Sequence, residues 1–86
     1  MSQQEKLLAK LTTKPEPRDF KWSELATLLG GLGFELVKGK GSRRKFYHVG
    51  KKTLINMHEP HPQNVLKSYQ VREVVKKLKE MGLVIE

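Results

Sequence analysis

Histidine titrates near neutral pH and can pass a proton to or from a hydroxyl or a leaving oxygen. The chain has three histidines, His48, His58 and His61. Two of them lie in the stretch 39–58, GKGSRRKFYHVGKKTLINMH, which also carries six of the seventeen Lys and Arg residues and no acid. These are Lys40, Arg43, Arg44, Lys45, Lys51 and Lys52, with Lys38 one residue before. Cations at this density attract polyanions, nucleic-acid phosphates above all. A histidine at a strand end beside them can reach a phosphate. His58, at the end of the stretch, fits this best. His61, held between Pro60 and Pro62, and His48, near the turn, are alternative bases. The plainer reading of each is a structural or solvated histidine. A metal centre would need thiolate or carboxylate support. The chain has no cysteine and only Glu59 lies near, so neither metal nor cofactor is expected.

Such residues need a frame, and composition bounds it. At 86 residues and a formal charge of +8, one small domain is expected, held by one core without disulfides. The charge favours nucleic acid, an acidic protein or an anionic membrane surface as partner. No apolar run reaches the length of a membrane span, and the start, MSQQEKLLAKL, is charged too early for a signal peptide. A membrane is therefore ranked last and a cytoplasmic location expected.

The periodicity predicts a first helix over 3–12, with Leu7, Leu8 and Leu11 on one face and a capping box from Ser2 to Glu5. Lys14-Pro15-Glu16-Pro17 reads as a stiff linker. A second helix over 22–32 carries Leu25, Leu28, Leu29 and Leu32 at helical spacing and ends at Gly33, with Trp22 as a lid on the core. Three short strands follow, over 34–38, 43–48 and 52–58. The second turn, 49–51, should take its positive φ from Gly50. Strand three, apolar on both faces, is expected at the centre of the sheet. If it pairs antiparallel with strand two, residues near Arg43 and His58 face one another. Residues 39–42 lack the spacing and the following helix of a phosphate-binding loop. A last helix from an Ser68 N-cap to Met81 turns Val71, Val74, Val75, Leu78 and Met81 inward and carries Arg72 and Lys76 on another side. The apolar tail 83–85 should pack down. The expected core is Leu25, Leu28, Leu29, Leu32, Phe34, Leu36, Phe46, Ile55, Val74, Val75 and Leu78. The order α-α-β-β-β-α implies a two-layer α+β domain, a three-stranded antiparallel meander with its helices on one face.

Three pieces in this order resemble the HicA toxins: Leu32-Gly33-Phe34, then Gly41-Ser42-Arg43-Arg44-Lys45-Phe46, then His58-Glu59-Pro60-His61-Pro62 with Leu66-Lys67 and Tyr69-Gln70-Val71 after it. The resemblance spans residues 20–83 and leaves 1–19 as an N-terminal helical extension and linker before a HicA-like domain, 20–86. It implies a double-stranded-RNA-binding-domain-like (dsRBD-like) fold, a metal-independent ribonuclease (mRNA interferase) acting on messenger RNA, and an acidic HicB-like antitoxin as partner. In the family's motif a histidine, taken as catalytic, follows Gly-Ser; here that position is Arg43. Arginine stays protonated and cannot serve as a base. Either the proton-transfer role has moved, with His58 and Arg43 as the catalytic pair, or the chain is a degenerate dsRBD-like module that binds RNA without cutting it. RNA binding would fall to Lys40, Arg43, Arg44, Lys45, Lys51, Lys52, Arg72 and Lys76. A third reading is a basic protein whose main role is to pair with an acidic one.

Overall fold

In the computed structural model, which describes residues 3–60 and 63–83, the chain runs α1 (Gln3–Leu11), α2 (Trp22–Gly31), β1 (Phe34–Lys38), β2 (Arg43–His48), β3 (Thr53–His58) and α3 (Ser68–Glu80). The strands form one antiparallel sheet in the order β1-β2-β3. The fold is the expected α+β, dsRBD-like arrangement. Alternation along the strands divides its two faces. Phe34, Phe46, Ile55 and Met57 are buried beneath the helices, whereas Glu35, Val37, Arg43, Lys45, Leu54, Asn56 and His58 are exposed. The core joins these inward strand residues to Leu25, Leu28 and Leu29 of α2 and Val71, Val74 and Leu78 of α3. Trp22 caps it, its ring 5.4 Å from that of Phe46. Leu7 and Leu11 bring α1 into the same core, and Lys10 ties it to Glu24 of α2 at 3.1 Å.

Two approaches to helices are stitched together by backbone. Trp22 N–H donates to Asn64 O and Leu66 N–H to Phe20 O, both at 2.8 Å, around an isolated bridge between Lys21 and Val65. Phe20 and Leu66 are buried as a result. Each helix then opens with a side chain of its first turn accepting from the backbone of the N-cap residue. Lys21 N–H donates to Glu24 Oε1 at 3.0 Å before α2, and Lys67 N–H to Gln70 Oε1 at 2.9 Å before α3. Such links satisfy amides that a helix start otherwise leaves orphaned.

Several expectations are corrected. The central strand is β2, not β3: in a meander the middle strand in sequence pairs on both sides, and Leu54 points to the open face. Leu36 is 40% exposed, because the helices cover β1 only at its Phe34 end. Leu32 and Val75 are half-buried at the margin of the core. The β2–β3 loop holds four residues, 49–52, and its positive φ falls on Lys52 at 50°, not on Gly50. The N-cap of α3 is Lys67, and Ser68 is the first helical residue. Gly33 does take a positive φ, 102°, as the end of α2 requires. The Ser2 cap, the base His61 and the tail residues Val84 and Ile85 lie outside the described residues.

Candidate nucleic-acid interface

The β2–β3 register pairs Arg43 with His58, Lys45 with Asn56 and Tyr47 with Leu54. All six belong to the open face of the sheet, and directly paired residues bring their Cβ atoms within about 4.5–5.5 Å. Arg43 and His58 are thus neighbours, as the turn between the strands implied. The turn before β2 completes the group. Gly41 takes φ 61°, Glu59 N–H donates to Ser42 O at 2.8 Å, and the Ser42 hydroxyl lies 3.1 Å from Nδ1 of His58. A hydroxyl can donate or accept. When Nδ1–H donates to Ser42 Oγ, the Nε2 lone pair of His58 is free to take a proton. No described residue bonds that nitrogen.

His58 lines two depressions that share no other described residue. One is bordered by Arg43, Arg44, Lys45, Asn56 and Met57; the other is bordered by Ser42, Arg18, Lys67 and Tyr69. Gln70 holds the second in shape. It is buried among polar partners, its Nε2 donating to His58 O at 3.1 Å while its Oε1 accepts from Lys67 N–H. The last residue of β3 and the first turn of α3 are therefore fixed to one another.

The remaining sequence candidates are dispersed. Arg44 has the parity of Phe46 and turns inward; its side chain is only 13% exposed, with Nε 2.9 Å from Glu59 Oε1 and Nη1 donating to the carbonyls of Gly41 and Arg43. It staples the β1–β2 turn to the end of β3. His48 is likewise committed. Its Nδ1 accepts from Lys51 N–H at 3.0 Å, so Nε2 carries the proton that it donates to Leu32 O at 2.9 Å. The ring lies edge-on to Phe34, with centroids 5.0 Å apart. Glycines flank it: a Cβ at Gly33 would meet Nε2 at 3.0 Å, and one at Gly50 would meet Cε1 at 3.3 Å. Close approach to this ring, not a positive φ, is what Gly50 supplies. Lys51 and Lys52 stand at the His48 end of the hairpin, roughly 16 Å along the strands from His58. Lys40 is exposed in the turn near His58. Arg72 and Lys76 are on α3, in the helical layer, where Arg72 Nη1 lies 3.4 Å from Glu16 Oε1. A backbone amide first, and after it Arg72, lower the Glu16 carboxyl below its ordinary value against the opposing effect of burial.

Arg18, Lys67 and Tyr69 were not among the sequence candidates. Arg18 sits in the linker, and only the distant bridge between Lys21 and Val65 brings it near His58. The inward turn of Arg44, by contrast, follows from its spacing to Phe46. No group of three His, Asp or Glu side chains gathers as metal ligands would among the described residues. None of their helices is long and apolar enough to cross a membrane.

Searches of curated proteins and of solved structures returned no match. A scan of protein-family models matched residues 22–85 to the family described as "HicA toxin of bacterial toxin-antitoxin". That match takes in the whole sheet, α2, α3 and every residue around His58 except Arg18. The chain belongs to the HicA toxin family of bacterial toxin–antitoxin systems.

Proposed function

We propose that the chain is a metal-independent ribonuclease that binds and cleaves messenger RNA in the cytoplasm and is held inactive by an acidic HicB-like antitoxin. The observation that carries this reading is the pairing of His58 with Arg43 on the open face of the sheet. His58 Nε2 takes the proton of a ribose 2′-hydroxyl, the 2′-oxygen forms a bond to phosphorus, and the bond from phosphorus to the 5′-oxygen breaks. The leaving 5′-oxygen acquires a proton from water or from the imidazolium. Arg43 and Lys45 balance the charge that builds on the pentacovalent phosphate. Ser42 steadies the imidazole through Nδ1 and accepts from it once His58 is charged. Arg44 is left out of this set, because its guanidinium already serves Glu59 and two carbonyls. Lys40 adds attraction for the backbone, and Lys51, Lys52, Arg72 and Lys76 add it at longer range.

The second reading, an RNA-binding module without chemistry, is favoured by Arg43 standing where the family motif has histidine. Regulated expression of the chain alone separates the two. The cleavage reading requires growth arrest with decay of cellular RNA, relieved by co-expression of an acidic protein from a neighbouring reading frame. Intact RNA in cells making folded protein would transfer the assignment to the binding module.

A further inference from the structure

We infer that the groove beside His58 bordered by Ser42, Lys67 and Tyr69 is a nucleotide subsite in which Tyr69 stacks a base while Lys67 and Arg18 hold its phosphate, so that the N-terminal extension completes the RNA site. This rests on the reading of His58 as the cleavage centre, and it adds residues and a direction to it. Three observations converge. First, among the described residues, His58 is the one common to the groove and to the depression lined by Arg43, Lys45 and Asn56. A strand whose scissile phosphate sits at His58 has therefore to lay one neighbour on the sheet and the other in the groove.

Second, the groove has the chemistry of a nucleotide rather than of a solvated surface. Tyr69 is 49% exposed, an aromatic ring left uncovered at the start of α3. Every base offers a face to stack on such a ring. Lys67 and Arg18 are exposed and form no ion pair with any described residue. Glu59, the acid among the described residues that line the groove, is engaged by Arg44.

Third, the wall is built, not incidental. Gln70 joins the backbone of His58 to that of Lys67. The backbone pairing of Phe20 with Leu66 and of Trp22 with Asn64 fixes the end of the linker against the approach to α3. Arg18 lies outside the family-matched span of residues 22–85, which makes its contribution particular to a chain carrying this extension.

The test uses the full chain with His58→Ala, so that RNA stays intact, and reads binding of fluorescent oligoadenylate and oligouridylate by anisotropy. In that background Tyr69→Ala is expected to weaken binding about 5- to 150-fold, while Tyr69→Phe, which keeps the ring, binds as the background does. Arg18→Gln and Lys67→Gln should each reduce the magnitude of the slope of log K against log salt, and together by about 0.7, the share of one phosphate. Circular dichroism confirms that each variant is folded. Unchanged affinity for folded Tyr69→Ala, or unchanged salt slopes for both cation variants, overturns the subsite. Binding confined to a double-stranded RNA probe overturns it as well, since a paired base cannot stack there. Cleavage is scored separately on the chain with His58 intact. If that chain cuts nothing while Tyr69→Ala still loses binding, the cleavage reading falls and the subsite stands.

Discussion

His48 and His58 occupy opposite ends of one β-hairpin, five residues of β2 apart in the ladder, and their surroundings differ in every respect that matters for chemistry. His48 lies on the covered side, between two glycines, with a backbone partner at each ring nitrogen. His58 lies on the open face, with one nitrogen beside a serine, and it lines two depressions bordered by cations. Identical side chains in one hairpin thus become a brace and a candidate base. The difference comes from strand parity and from what closes each end of the hairpin. Arg43 and Arg44 repeat the contrast one residue apart: the first is open beside His58, the second is bonded inward to Glu59.

The contrast can be broken at its structural pole first. Leu28→Ala sets the scale, since Leu28 is 1% exposed in the core and should lose about 2–5 kcal/mol in chemical denaturation. A loss well under 1 kcal/mol would mean that α2 packs in another register. His48→Ala should cost about 2–3 kcal/mol, because Leu32 O and Lys51 N–H lose their partners and the ring vacates its slot between Gly33 and Gly50. If stability is unchanged, His48 is no brace and the comparison fails.

The arginine pair sharpens the contrast at smaller effect. Arg44→Ala should destabilise by about 1–3 kcal/mol, leaving Glu59 and the Gly41 carbonyl without their donor and the Arg43 carbonyl with Gly39 N–H alone. Arg43→Ala should stay within about 0.5 kcal/mol of the parent in stability. It should instead lower the salt slope of RNA binding by about 0.7–0.9, the share of one phosphate contact. Reversed outcomes for the two variants would place the inward and outward faces of β2 the wrong way round.

The smallest effect separates two helix starts that close alike, one with a carboxylate and one with an amide. The Lys21 backbone amide, and after it the Lys10 ammonium, outweigh burial and hold the Glu24 carboxyl below its ordinary value of 4.5. A depressed folded-state value means that Glu24 adds stability above the unfolded value and loses it as pH falls through the folded one. Below about pH 4.5 the protein should therefore shed part of its stability, and Glu24→Gln should flatten that step. Gln70→Ala should weaken α3 without changing the acid profile. A step that persists unchanged in Glu24→Gln would assign it to other carboxylates.

Much of this arrangement was legible in the chain because it is local. Helical spacing located α2 and α3, and the short hairpin loop fixed which residues of β2 and β3 meet, including Arg43 and His58. The parity of Arg44 with Phe46 was equally available, but charge density drew Arg44 into the binding set. What escaped depends on contacts distant in sequence. Nothing near Phe20 or Leu66 reveals that their backbones pair, and that pairing is what buries both and carries Arg18 toward His58. The central strand was misjudged for a related reason: Leu54 is apolar yet faces outward, so composition alone does not report which face the helices cover.

The account turns on His58, and one paired measurement addresses it most directly. His58→Ala and the parent are compared for RNA cleavage rate and for thermal stability at matched concentration. The account predicts a rate lower by about 10²–10⁴-fold, the usual cost of removing a positioned base, with the melting temperature and RNA affinity retained. A folded His58→Ala protein that cleaves as fast as the parent would contradict it.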